Sequence, residues 1–152
     1  MVGLRHLGRG HTGGDLVVAV PDARCVYAGD LVEESGPPAY GPDSFPLEWP
    51  TTLTQLLDLP FDVLVPGHGA AVDRDFVIRQ AGRLTLVALR IRDLSAAGVP
   101  ADEALAAGDW PYPPEVVATA VRRGFEHAGP ADAGGSSRPG RATTGRETRG
   151  TP

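Results

Sequence analysis

The sequence predicts an α/β fold, on three observations. Short β-branched and apolar stretches, such as Asp15–Val20 and Asp62–Val65, read as strands. A long segment after Asp73 repeats apolar residues every three or four positions, which gives a helix one buried stripe. Glycine and proline punctuation follows the strand-like stretches at Gly8–Gly14, Gly29-Asp30 and Pro66-Gly67.

Taken in order, Val2–Leu7 reads as a short strand and Gly8–Gly14 as a glycine-rich loop holding His11. Asp15–Val20 and Arg24–Ala28, separated by Pro21-Asp22-Ala23, form a hairpin pattern whose second strand ends at Gly29-Asp30. Ser35–Pro46 reads as a surface loop. Trp49–Leu59 has helical spacing, with Leu53, Leu56 and Leu57 on one face and Pro50 in the first turn. Asp62–Val65 is a short buried strand stopped by Pro66-Gly67. Asp73 can cap the long helix, whose stripe includes Val77, Leu84, Val87 and Ile91, and Gly98 ends it. Two shorter helices are expected over Ala101–Ala107 and Pro114–His127. From Gly129 onward Ala is the only apolar residue, too little to offset the entropy of ordering. The expected organisation is therefore one domain over residues 1–128 and a disordered tail over 129–152.

Composition excludes several function classes. The formal charge is −5, and the one basic cluster, Arg138, Arg141, Arg146 and Arg149, is diluted among Gly and Thr. No basic face for phosphate contacts is visible, so a nucleic-acid partner is not expected. All 14 basic residues are Arg, with no Lys and no Asn, as GC-rich coding produces. Arg and Gly counts therefore carry little functional weight. Cys25 is the one cysteine, so no internal disulfide can form, and mid-strand it reads as a small buried hydrophobe. Neither a signal-peptide pattern nor a membrane-length apolar run is present, which makes a cytoplasmic protein without a membrane partner the expectation.

Three segments carry the chemistry. His11 lies in GRGHTGGD, Asp30 in AGDLVE and His68 in VLVPGHGAAVD, each where a strand feeds a tight turn. Strand-end turns place side chains along one edge of a sheet. Two imidazoles and a carboxylate converging there suit Zn²⁺, which takes His nitrogen and Asp oxygen. Singly, each motif is weak; their order and contexts together are specific.

GHTGGDLVV, GDLV and VLVPGHG resemble the last three metal motifs of the metallo-β-lactamase superfamily. The resemblance runs from about Val2 to Arg79, and more loosely to His127. It implies an αββα sandwich, represented by its second half, and metal-dependent hydrolysis of an ester, thioester or lactam by two zinc ions. His11 would then bind the first metal, His68 the second, and Asp30 both, with Thr12 and Asp15 supporting the loop from behind. The implied nucleophile is hydroxide from metal-bound water, so no side chain is catalytic in that sense. Aspartate at Asp30, where some β-lactamases carry cysteine, favours the general hydrolase branch, such as glyoxalase-II-like thioesterases.

The family's His-x-His-x-Asp-His run is absent, and Met1 stands at the start of a predicted strand. The chain is accordingly expected to be N-terminally truncated, with an incomplete zinc site and little or no activity by itself. An open sheet face should then favour homo-oligomers. The rival reading is a non-catalytic remnant or interaction module. Gly8–Gly13 also matches G-x-G-x-x-G, but a strand follows where a dinucleotide site needs a helix. Glu33 and Glu34 read as a solvated loop, because neighbours on extended chain point apart. Phe45, Leu47 and Trp49 could line a pocket or staple the following helix. His127, at a helix end, suits a partly cationic ring without a metal role.

Overall fold

The structure, a computed structural model, describes residues 1–129. The tail expected from Gly129 lies, apart from Gly129 itself, outside the described residues.

Four strands form one sheet in sequence order: β1 (Gly3–Arg5), β2 (Val17–Val20), β3 (Cys25–Glu33) and β4 (Val63–His68). β1, β2 and β3 pair antiparallel, and β4 joins β3 in parallel. That parallel step needs a crossover, which α1 (Trp49–Leu57) supplies. The hairpin between β2 and β3 turns through a single 3₁₀ turn at Pro21–Ala23. The helices α2 (Arg74–Ala96), α3 (Ala101–Ala107) and α4 (Pro114–Ala128) follow. Asp73 caps α2 by accepting the Phe76 N–H at 2.8 Å, as the sequence predicts. No helix of the described residues is long and apolar enough to cross a membrane.

One core joins the sheet to the helices. Val26, Ala28 and Leu64 from the sheet meet Trp49, Leu53 and Leu56 of α1 and Leu84, Val87 and Ile91 of α2. Val117, Ala120 and Val121 of α4 close its far side. The opposite sheet face is bare. Leu4, Val18, Tyr27 and Val65 are successive cross-strand partners, and Leu4 and Tyr27 on that row are exposed. One sheet with helices on a single face is the arrangement of half an αββα sandwich.

Two strand ends differ from expectation, and both differences shape the site. The second hairpin strand does not end at Gly29-Asp30. It continues to Glu33, with register shifts between Tyr27 and Gly29 and again between Gly29 and Glu33. These irregularities break the in-out alternation, so Leu31, Val32 and Glu33 are all buried. Pro66-Gly67 likewise does not stop β4, which runs on to His68. β4 is an edge strand, where a proline can replace a ladder donor at little cost.

Candidate metal centre

The loop holding His11 is fixed from three sides. Asp15 accepts the Thr12 N–H with both carboxylate oxygens at 3.1 Å, and the Thr12 hydroxyl donates to it at 2.7 Å. The Thr52 hydroxyl of α1 donates to the Arg9 carbonyl. Gly10 lies so close to Leu31 and Trp49 that a Cβ there would stand 2.7 and 2.9 Å from their side chains, so only glycine fits. The His11 ring meets Trp49 edge-on at 5.8 Å. Its Nδ1 lies 3.0 Å from the Ala39 carbonyl oxygen. A carbonyl can only accept, so Nδ1 bears a proton, and in the neutral ring Nε2 is the nitrogen with the lone pair. That Nε2 lies 3.5 Å from Asp30 Oδ2.

The other Asp30 oxygen, Oδ1, lies 3.5 Å from His68 Nδ1. The structure thus brings His11, Asp30 and His68 together, with a separate carboxylate oxygen facing each imidazole. Gly67 makes this possible. A Cβ at residue 67 would fall 1.8 Å from Asp30 Oδ1, so the carboxylate occupies the space that any other residue would fill.

Glu33 joins this group, contrary to its reading as part of a solvated loop. It is 6% exposed, and its Oε1 accepts the His68 Nδ1–H at 2.6 Å. Asp30, Glu33 and His68 present donor atoms close enough together to hold a cation. The buried amide of Gln80 ties this strand end to α2, accepting the Glu33 N–H at 3.2 Å and donating to the Leu31 carbonyl at 3.0 Å. The sequence hid Glu33 because an unbroken strand would not aim it inward; the register shifts do. Glu34 stays exposed, but its carboxylate accepts the Ala70 N–H at 2.8 Å and stitches the turn after β3 to the turn after His68.

The remaining aromatic and histidine residues take structural places. Trp49 is fully buried in the core. Phe45 stacks on His127 at 5.1 Å, with the Arg9 guanidinium 4.3 Å from its ring centre. Burial, then the charge of Arg123, hold His127 below the ordinary histidine value, so it is not the partly cationic end residue expected from its position.

The hydrogen bond to Glu33, then the charges of Glu33 and Asp30, raise the pKa of His68 above 6.5. The sign of the consequence follows from linkage. A raised folded-state pKa gives stability that is fully present below about pH 6.5 and is lost as pH rises through the folded value. Glu33→Gln is expected to move the His68 titration down toward the ordinary value and flatten stability against pH in that window. Proton NMR of the His68 ring in EDTA checks this; an unchanged titration would show that Glu33 does not control the ring.

The sequence profile of the metallo-β-lactamase superfamily matches residues 2–68. Comparison with curated protein sequences gives no match. Among solved structures, the metallo-β-lactamase FIM-1 from Pseudomonas aeruginosa, in its mono-zinc form, superposes with a TM-score of 0.53 at 23% identity, over 58% of this chain and 41% of that one. A metallo-β-lactamase from Pontibacter korlensis gives 0.51 at 25% identity, over 55% and 41%. The chain thus spans about two-fifths of the length of these enzymes. The stretch carrying His11, Asp30 and His68 thus matches the metallo-β-lactamase superfamily profile, and the fold built on it is the fold of these solved structures.

Proposed function

We propose that His11, Asp30 and His68 hold zinc, and that this chain supplies part of the centre of a metal-dependent hydrolase acting on an ester, thioester or lactam. The observation that carries this reading is the 3.5 Å spacing of His11 Nε2 from Asp30 Oδ2, with the His68 ring, held by Glu33 through Nδ1, beside the other Asp30 oxygen. Two ligands of one tetrahedral zinc, each bonded at roughly 2.0–2.2 Å, stand about 3.4 Å apart. The donor set, and the spacing of His11 from Asp30, therefore fit the ion, which His11, Asp30 and His68 would hold.

Each residue has a role toward that centre. Ala39 fixes the His11 tautomer so that Nε2 faces Asp30, and Glu33 does the orienting for His68. Asp15 and Thr12 keep the His11 loop closed from behind. When bound, zinc supplies Lewis acidity and lowers the pKa of water to about 7, giving a nucleophile at neutral pH. Aspartate at residue 30 favours a general hydrolase of the glyoxalase-II-like thioesterase kind, while the structural neighbours make a lactam the substrate to assay beside it.

Ligand counting limits the chain alone. Each metal keeps one histidine plus the shared Asp30, whereas a catalytic zinc usually has three protein ligands. Weak zinc uptake and little turnover are expected from this chain by itself. Both should rise sharply when a half-domain bearing His-x-His-x-Asp-His is added. Calorimetric zinc titration tests the reading, with His11→Ala, Asp30→Ala and His68→Ala each lowering affinity about 10- to 100-fold. Uptake should strengthen as pH rises through the His68 titration, because the metal displaces a proton there. Zinc uptake indifferent to all three substitutions would overturn it.

A further inference from the structure

A pocket of about 490 Å³ opens beside the candidate centre, between the turn after β3, the outer face of α2 and the start of α4. Its volume is within the roughly 300–1,000 Å³ of small-molecule sites. Glu33 is part of its wall, and the same side chain holds His68, so the pocket adjoins the centre through one residue. Its other walls are apolar at Phe76, Pro38 and Val116 and cationic at Arg79 and Arg83.

The two guanidiniums of this pocket are not ion-paired with its two carboxylates. Glu33 is committed to His68, and Glu34 to the Ala70 N–H. Among the described residues, neither Arg79 nor Arg83 has a carboxylate at ion-pair distance. The two lie one turn apart on α2, and each guanidinium is set over a ring of the pocket wall. Arg79 stands 5.8 Å from the Phe76 ring centre, and Arg83 5.8 Å from that of Tyr112. Rings that carry guanidiniums limit their freedom, and the N–H groups of Arg79, with those Arg83 does not direct at the Tyr112 hydroxyl, can meet a planar or tetrahedral anion.

We infer that this pocket binds the distal part of the substrate: an apolar body ending in a carboxylate or a phosphate, with the anion held by Arg79 and Arg83. The substrate class is then an anionic ester or thioester whose cleaved bond lies at the centre beyond Glu33. This assignment of the bound group as substrate rests on the proposed hydrolase, whereas the anion site itself can be measured without metal.

The experiment is calorimetric titration of the full chain in EDTA with phenyl phosphate, phenylacetate and benzyl alcohol. Either or both anions should bind, with benzyl alcohol at least tenfold weaker than the better one. The tighter anion identifies the end group of the substrate. Arg79→Gln with Arg83→Gln should weaken anion binding tenfold or more with the circular dichroism unchanged, since both side chains are exposed. Val116→Trp should block all three ligands by filling the apolar wall. Benzyl alcohol binding as tightly as both anions, or anion binding indifferent to the double substitution, would overturn the inference. Retained anion binding in a chain whose zinc uptake ignores His11, Asp30 and His68 would instead remove the hydrolase reading and leave the anion site standing.

Discussion

Trp49→Ala is expected to destabilise the chain by about 3–5 kcal/mol, the range for removing a large aromatic from a packed core. The indole is 0% exposed and fills the junction of three elements. It opens α1, meets Tyr40 edge-on at 5.3 Å and donates its Nε1–H to the Leu31 carbonyl at 3.2 Å. Gly10 packs directly on it, so the vacated space would also release the turn that carries His11. A small domain has roughly 5–15 kcal/mol in total, so this one change consumes a large share. Urea denaturation followed by far-ultraviolet circular dichroism measures the loss, and Trp49→Phe, which keeps an aromatic ring, should recover part of it. A midpoint for Trp49→Ala within experimental error of the native one would show that the core is not centred on this residue.

Much of the architecture was legible because local chemistry and tertiary demand agree. The α2 stripe, the Asp73 cap and the Pro21-Asp22-Ala23 turn are each specified by residues within a few positions of one another. The meeting of His11, Asp30 and His68 was legible from the glycines beside each of them, although Asp30 lies within β3 at its irregular pairing with β4 and not at a strand end. Glu33 was not legible. Its inward aim depends on irregular pairing of β3 with β4, a strand that begins thirty residues after it in the chain. Pro66-Gly67 misled for the complementary reason. Read locally the pair is a strand terminator, but at a sheet edge the missing N–H is tolerated and the absent side chain makes room for Asp30. The pocket beside Glu33 was equally hidden, because its walls come from three segments far apart in sequence.

Gly67→Ala is the sharper test of the centre, because it adds one methyl group and removes no ligand. The added Cβ would sit 1.8 Å from Asp30 Oδ1 and 2.9 Å from both the Asp30 nitrogen and the Gly29 carbonyl carbon. The backbone contacts cannot rotate away, so either the end of β4 separates from β3 or the Asp30 carboxylate swings out. Both movements break the spacing between Asp30 and His68. Overpacking of this kind costs about 1–3 kcal/mol, and zinc affinity should fall about 10- to 100-fold, as when support behind a ligand is lost. Gly82→Ala supplies the opposite sign. Gly82 lies on the exposed face of α2 with nothing within 4 Å of an added Cβ, so alanine there should stabilise by roughly 0.5–1 kcal/mol. Thermal melts and zinc titrations on the two variants should therefore diverge: Gly82→Ala melts higher with native zinc uptake, Gly67→Ala melts lower with most uptake gone. Native zinc uptake by Gly67→Ala would mean that the metal is not held where Asp30 and His68 meet.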